Sequence, residues 1–227
     1  MGIFFATLLL LCAPVQADEA YMGRRLAPTM HHLGADWLTR QTREAEEDPS
    51  ALIASLGLSP GDVACDVGAG SGYHTLRMAQ VVGAAGRVYA ADIQPEMLDM
   101  LQRRAGAAGL ENVSAVQNTQ SDTGLEPETC DIVLLVDVYH EFSQPEAMLR
   151  SMRAALKPGG AIVLVEFRAE DPRIPVKALH KMSKAQIMRE LPANGLKLVR
   201  EVNSLPWQHV MFFQRDDGPA PAIQPAP

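Results

Sequence analysis

The sequence predicts an α/β domain built on a doubly wound, mostly parallel sheet of seven strands that ends in an antiparallel hairpin. From Gly61 onward, short apolar runs alternate with segments of helical spacing, as in parallel strands joined by helices. The last two apolar runs, 196–202 and 209–214, are separated by too few residues for a crossover helix. An antiparallel pairing is therefore expected for them.

The predicted elements follow in chain order. Proline stands in the first turn of the helix at 95–108, where its missing N–H costs nothing. The helix at 144–156 ends before Lys157-Pro158-Gly159-Gly160, a typical stop signal. The strands are predicted at 62–67, 87–91, 113–117, 132–136, 161–167, 196–202 and 209–214, and the main helices at 73–82, 95–108, 144–156 and 183–194.

Length and composition fit one globular domain with short additions at both ends. The chain has 227 residues, of which 47% are hydrophobic. Its net charge of -7 argues against a nucleic-acid partner. We divide it into a signal peptide (1–17), a helical extension (18–57), a main domain (58–215) and a disordered Pro/Ala-rich tail (216–227). The extension either forms a flap over a pocket or simply packs against the sheet.

The N-terminus predicts export. Residues 3–13 are almost wholly apolar but fall short of the roughly 20 residues that span a bilayer. Val15-Gln16-Ala17 offers small residues for a signal peptidase. A periplasmic or secreted protein without a stable membrane anchor is expected. An uncleaved anchor is one alternative, and a translation start at Met22, which would make the protein cytoplasmic, is another.

The cysteines are expected to be free thiols in the mature protein. Cys12 would leave with the signal peptide, Cys65 lies inside the first strand of the main domain, and Cys130 precedes another strand. On parallel neighbours these two would lie at different heights, whereas a disulfide needs Cα atoms within about 7 Å.

The glycine loop after the first strand predicts a ligand site. Asp66 precedes glycines at positions 68, 70 and 72, and Tyr73 stands where a dinucleotide site has its third glycine. No Gly-Lys-Ser/Thr ending is present, which excludes a P-loop. Asp66 would repel a pyrophosphate but suits a cation. Asp92, at the end of the next strand, is placed to accept the hydroxyls of a ribose.

A cationic ligand with a ribose and no phosphate points to S-adenosylmethionine, and here the chain resembles class I S-adenosylmethionine-dependent methyltransferases, in particular the group related to quinone biosynthesis. The resemblance covers roughly residues 58–167. The segments that match the family are 63–73, 88–92 together with 95–98, 131–141, and 156–160 followed by Leu164-Val165-Glu166. The expected architecture is thus the Rossmann-like methyltransferase fold.

The resemblance implies roles for individual residues. Asp66 would face the ammonium group of the cofactor, and Asp92 would bind its ribose. Ile93 would pack on the adenine, and either Asn118 or Asp122 would flank the adenine edge. Asp137 would stand at the reactive centre, next to Tyr139 and His140 on the substrate side. The predicted cofactor-binding residues are Asp66, Gly68, Gly70, Gly72, Asp92, Ile93, Asn118 and Asp137, and the predicted catalytic residues are Asp137 and His140.

Methyl transfer needs an aligned nucleophile and, for a hydroxyl or ammonium acceptor, a base. His140 is the candidate base, oriented by Glu141, although a merely packed histidine is the alternative. Asp137 has the alternative of capping the next helix. No metal is expected, because none of the histidines, including His31-His32, has metal-ligand spacing.

Two further features concern the substrate side. The segment around His180 either contacts substrate or is a plain loop. Trp37 and Trp207 are expected to be packing residues rather than a platform for substrate.

The expected function is methyl transfer from S-adenosylmethionine to a small molecule, and the resemblance implies a quinone-like or other apolar acceptor. An exported binding protein without catalysis is the alternative, prompted by the conflict between export and a cofactor made in the cytoplasm. An NAD-dependent oxidoreductase is disfavoured by Tyr73. The sequence predicts no oligomeric state.

Overall fold

A seven-stranded sheet organises the chain in the computed structural model, which describes residues 20–218. The predicted signal peptide (1–17) and residues 219–227 of the predicted tail lie outside the described part. Before the sheet come a small hairpin of β1 (Ala20–Tyr21) and β2 (Arg24–Arg25) and a 3-10 helix (His32–Thr39). Two short helices follow, α1 (Arg43–Glu47) and α2 (Pro49–Ser55).

The predicted sheet is confirmed, with the strand order β5-β4-β3-β6-β7-β9-β8. Strands β3 to β7 pair in parallel, and β9 runs antiparallel to both β7 and β8. The strands are β3 (Val63–Val67), β4 (Arg87–Asp92), β5 (Val113–Gln117), β6 (Cys130–Val136), β7 (Leu156–Phe167), β8 (Leu196–Val202) and β9 (Gln208–Arg215).

Helices cover both faces of this sheet. Along β6 the side chains alternate, so Val133 and Leu135 enter one apolar cluster and Leu134 enters another. The first cluster takes Met148 and Ile187 from two helices, and the second takes residues of α2 and of the helix after β3. The four main helices are α3 (Tyr73–Val82), α4 (Pro95–Ala107), α5 (Pro145–Ala155) and α6 (Lys184–Ala193).

The prediction of free thiols is wrong, because Cys65 and Cys130 form a disulfide. Their Cα atoms are 5.9 Å apart, within the range that a disulfide spans. The prediction assumed that pairing of the two strands sets the distance, but β6 pairs with β3 only from Ile132 onward, so Cys130 precedes the paired residues. The positions of the two cysteines along their strands therefore did not predict the distance between their Cα atoms. Both residues are fully buried in the main apolar cluster.

The end of the described chain is a turn. Asp216 and Asp217 pair with Arg153 at 3.1 and 2.8 Å, so the first residues of the predicted tail contact the domain. Across residues 20–218, every helix is too short or too polar to cross a bilayer.

Candidate active site

A cavity of about 650 Å³ opens at the carboxyl ends of the central parallel strands. It lies where the strand order reverses between β3 and β6, which is the usual ligand position in a doubly wound sheet. Its walls come from the glycine loop after β3, the segments after β4, β5, β6 and β7, and the N-terminal extension.

The glycine loop brings bare backbone to the cavity wall. Gly68 and Gly70 line the cavity and have φ angles of 76° and 52°, which side chains rarely adopt. A Cβ on Gly68 would lie 2.4 Å from Val138, and one on Gly70 would lie 2.6 Å from Leu38. The loop therefore tolerates no side chain at either position without moving its neighbours.

Asp92 fixes this loop and faces the same cavity. Its Oδ2 accepts the backbone N–H of Gly70 at 2.8 Å, and its Oδ1 accepts that of Gln94 at 2.9 Å. Burial raises the pKa of Asp92, although the backbone donors oppose the shift. The remaining lone pairs of the carboxylate are free to accept hydroxyl groups of a ligand.

Asp66 and Gly72 lie behind the cavity wall, and neither lines the cavity within the described chain. The Asp66 carboxylate accepts the hydroxyl of Thr75 at 2.5 Å, and burial raises its pKa to about 6. Gly72 precedes α3, where a Cβ would lie 2.8 Å from Leu101. Direct contact of these two residues with a cofactor therefore remains a prediction.

Ile93 and Asn118 line the part of the cavity next to Asp92. Asn118 is buried, and its Oδ1 has no hydrogen-bond partner among the described residues. An unpaired buried acceptor is costly, so a donor from a ligand would stabilise it. The alternative, Asp122, instead bonds Gly124 and Ser151.

Asp137 stands in the middle of the cavity, immediately after β6. Its φ of 51° is unusual for a residue with a side chain and turns the backbone at this point. Oδ2 accepts the Gln208 amide at 2.7 Å, whereas Oδ1 is buried without a partner among the described residues. Burial raises the pKa of Asp137 well above its ordinary value, and the nearby carboxylates of Glu47 and Glu166 add to the shift.

His140 belongs to a buried cluster at the other end of the cavity. Its Nδ1 is 2.7 Å from Oε2 of Glu166, and its Nε2 is 3.1 Å from Nδ1 of His180. The predicted orienting residue, Glu141, has Oε1 3.9 Å from Nε2. The expected partner was therefore wrong, because Glu166, at the end of the neighbouring strand β7, makes the hydrogen bond.

Charge around this cluster shifts several pKa values. Burial lowers the pKa of His140, but the Glu166 carboxylate outweighs burial and leaves that pKa raised. Burial also raises the pKa of Glu141 to about 7. Burial and the neighbouring His140 lower the pKa of His180.

The N-terminal extension, for which a flap and simple packing against the sheet were alternatives, contributes residues to the cavity wall. The backbone N–H of Met30 donates to Oε2 of Glu141 at 3.2 Å, and that of Ala27 donates to the carbonyl of His140 at 3.1 Å. Trp37 lines the cavity and is 50% exposed, with Arg40 stacked on its ring. The expectation that Trp37 is a packing residue was therefore wrong.

Sequence reasoning gave no role to Glu166, Arg43 or Glu47, and left His180 open. His180 lines the cavity, as do Arg43 and Glu47, which pair with each other at 2.7 Å. Two signals were available for Glu166, namely its place at a strand end and its charge within an apolar run.

The family follows from comparison with known proteins. Residues 58–211 match a family described as a methyltransferase domain. The chain belongs to this family. The match covers both ends of the cavity, from the glycine loop to Gln208 beside Asp137.

Relatives of this methyltransferase domain have names from quinone biosynthesis. The ubiquinone/menaquinone biosynthesis C-methyltransferase UbiE of Vibrio vulnificus is 30% identical over 145 residues, covering 63% of this chain and 56% of that protein. The protein of the same name from Marinomonas is 26% identical over 153 residues, covering 67% of this chain and 59% of that protein. The matched region thus spans little more than half of these relatives.

Solved structures share the fold of this methyltransferase domain. A SAM-dependent methyltransferase from Aquifex aeolicus superposes with a TM-score of 0.77 at 23% identity, covering 82% of this chain and 98% of that one. The [4+2]-cyclase SpnF superposes with a TM-score of 0.57 at 22% identity, covering 67% of this chain and 57% of that one. At such identities the likeness establishes the fold alone, and a fold can host several reactions.

The cavity fits S-adenosylmethionine, the cofactor of SAM-dependent methyltransferases. Gly68 and Gly70 bring backbone without side chains to the cavity wall where the methionine part would lie, and Asp92 offers lone pairs to ribose hydroxyls. The unpaired Oδ1 of Asn118 matches an exocyclic amine donor such as that of adenine. The predicted cofactor is thus consistent with the geometry.

Proposed function

We propose that this protein transfers a methyl group from S-adenosylmethionine to a small molecule. One observation carries the proposal: a single cavity joins the glycine loop, Asp92 and Asn118 at one end to the His140 cluster at the other. Asp137 lies between the two ends. A cofactor held at the first end would thus present its methyl group toward a substrate at the second.

Different residues of the chain have different roles in this reaction. Asp92 and Asn118 bind the nucleoside, and the glycine loop determines how far into the cavity the methionine part reaches. When bound, S-adenosylmethionine supplies an electrophilic methyl group on a sulfonium. The protein then contributes mainly alignment and exclusion of water. Burial favours the protonated form of Asp137, whereas a sulfonium bound next to it would favour the carboxylate. The Gln208 contact fixes this side chain.

The acceptor is an apolar molecule with one polar group. Met30, Phe142 and Phe167 line the cavity. Phe142 and Phe167 directly follow Glu141 and Glu166 in the chain, and the backbone N–H of Met30 donates to Glu141. Apolar walls around a few polar groups are typical of a site for a small organic molecule. The names of the quinone-related relatives agree with a ring compound of this kind. A net charge of -7 supports a substrate other than nucleic acid.

Binding and turnover can be tested separately. Calorimetric titration of the protein with S-adenosylhomocysteine should show one site per chain. Incubation of labelled S-adenosylmethionine with an extract of apolar metabolites should yield a labelled small molecule. An Asp92→Asn variant serves as the control for both measurements. Failure of the wild-type protein to bind S-adenosylhomocysteine would refute the proposed methyl transfer.

We also propose that the protein is exported and works in an oxidising compartment. Two features support this: the signal-like sequence at 1–17 and the Cys65–Cys130 disulfide, since disulfides are rare in the cytosol. Mature protein from fractionated cells should begin at Asp18. It should resist alkylation at both cysteines until it is unfolded and reduced. An intact N-terminus together with three alkylatable thiols (Cys12, Cys65 and Cys130) in unreduced, unfolded protein would contradict export.

A further inference from the structure

The cluster of His140, Glu141 and His180 has the composition of a metal site. Sequence spacing gave no sign of it, because His180 lies 40 residues beyond His140 in the chain. The fold brings both histidines and Glu141 to one end of the cavity, with one potential ligand atom from each within 4.8 Å of the others. We propose that these three side chains bind a divalent cation of the zinc class.

The distances suit coordination. His140 Nε2 is 3.1 Å from His180 Nδ1 and 3.9 Å from Glu141 Oε1, and the latter two atoms are 4.0 Å apart, so the point equidistant from all three lies about 2.1 Å from each. Zinc–nitrogen and zinc–oxygen bonds have lengths of about 2.0–2.2 Å. A cation thus fits among these atoms with little movement of the side chains.

Two contacts outside the three ligands support the arrangement. Glu166 is fully buried and holds Nδ1 of His140 at 2.7 Å, which leaves Nε2 to face the cluster. Metal-binding histidines commonly carry such a carboxylate on the other ring nitrogen. The Met30 N–H holds Oε2 of Glu141 at 3.2 Å and leaves Oε1 directed toward the histidines.

The ligand set selects the class of cation. Two imidazoles and one carboxylate suit Zn²⁺ and related transition metals better than Mg²⁺ or Ca²⁺, which prefer oxygen ligands. Three protein ligands leave coordination positions open, as in catalytic rather than structural zinc sites. All three residues line the cavity, so a small molecule can reach the open positions.

The cation would change the role predicted for His140. A nitrogen lone pair that ligates a metal does not act as a base, so His140 becomes a ligand. The next step rests on the proposed methyl transfer. The cation would bind an acceptor hydroxyl and help it to lose its proton to solvent. The oxygen would then form its bond to the methyl carbon as the carbon–sulfur bond breaks, with that electron pair remaining on sulfur.

Zinc binding is testable without methyl transfer. Untagged full-length protein, treated with a chelator and dialysed, would be titrated with Zn²⁺ by calorimetry and with Co²⁺ by visible absorption. We expect one ion per chain, with a dissociation constant of about 1 μM or tighter, and the intense bands of four- or five-coordinate Co²⁺. His180→Ala and Glu141→Gln should each weaken Zn²⁺ binding at least about tenfold, and Glu166→Gln by about 10- to 100-fold.

A matched control separates the site from general affinity of histidines for zinc. His209 is a buried histidine paired with Glu170 at 2.9 Å, outside the cavity lining, so His209→Ala should bind Zn²⁺ like the wild type. Circular dichroism would confirm that each variant is folded. If the wild type binds no Zn²⁺, or if folded His180→Ala binds it equally well, the three residues are only a hydrogen-bonded cluster. Neither result bears on S-adenosylhomocysteine binding.

Discussion

Glu166 holds both the ring and the backbone of His140. Its Oε2 lies 2.7 Å from Nδ1 of the imidazole, and its Oε1 accepts the backbone N–H of His140 at 3.2 Å. One carboxylate at the end of β7 thus fixes the segment after β6, because these strands are neighbours in the sheet. The substrate end of the cavity depends on this contact.

Glu166→Gln should therefore affect turnover but not cofactor affinity. The amide keeps the shape of the side chain but weakens its hold on the imidazole. We expect methyl transfer to fall about 10- to 100-fold, while S-adenosylhomocysteine affinity stays within about twofold. Glu201→Gln is the control, since Glu201 pairs with Lys184 at 2.6 Å, away from the cavity. Equal rates for the two variants would show that the Glu166 contact is unimportant for transfer.

Asp92→Asn should weaken cofactor binding. The substitution removes a charge and one of the acceptors that hold Gly70 and Gln94. Hydrogen bonds to charged groups contribute about 1.5–3 kcal/mol each, so a loss of about ten- to hundredfold in S-adenosylhomocysteine affinity is expected by calorimetry. Asp99→Asn, at an exposed position of α4, should bind like the wild type. Unchanged affinity in Asp92→Asn would refute the ribose assignment.

Gly68→Ala should abolish cofactor binding for a steric reason. The new methyl group would lie 2.4 Å from Val138, in addition to the strain of a φ of 76°. Gly109→Ala provides a matched control, because Gly109 has a similar φ of 68° with nothing within 4 Å of an added Cβ. The control should lose only about 1–2 kcal/mol of unfolding free energy and keep its affinity. Normal binding by Gly68→Ala would contradict a ligand against this loop.

Asp66→Asn should stabilise the protein in a pH-dependent way. Burial raises the folded-state pKa of Asp66 to about 6, above its ordinary value near 3.9. The protonated Asp66 carboxyl group thus makes its full contribution to the stability of the folded state below about pH 4, and this contribution is lost as pH rises through 6. The variant should gain about 3 kcal/mol at pH 7.5 and about 1 kcal/mol at pH 4.5, as measured by urea unfolding.

The same exposed substitution, Asp99→Asn, should show no such pH-dependent gain. A stabilisation of Asp66→Asn that is equal at both pH values would indicate that ionisation of Asp66 has no part in the effect. Greater stability together with weaker cofactor binding would identify Asp66 as a residue retained for function.

Much of the fold was predictable because its signals are local. The apolar run of β6, the proline that begins α4 and the glycines after β3 each act within a few residues. Alternation of strands and helices then restricts the topology to a doubly wound sheet. The positions of Gly68 and Asp92 at the cavity follow from that topology alone.

The rest of the site depends on tertiary distances that spacing does not show. Glu166 and His180 meet His140 only after strands have paired and the segment after β7 has folded back. The Cys65–Cys130 disulfide joins Cys65 to a residue that precedes the pairing of β6 with β3, and no local pattern marks that approach. The contact of Met30 with Glu141 comes from an extension that lacks periodicity.

Transfer of a labelled methyl group is the most direct test of the proposed function. Purified protein would be incubated with S-adenosylmethionine labelled in the methyl group and with apolar hydroxyl-bearing small molecules, with and without added Zn²⁺. The structure predicts a labelled small molecule together with an equal amount of S-adenosylhomocysteine, and a large fall in both products in Asp92→Asn when the cofactor is below saturation. Tight binding of S-adenosylhomocysteine without transfer to any acceptor would instead identify a binding protein that uses the same cavity.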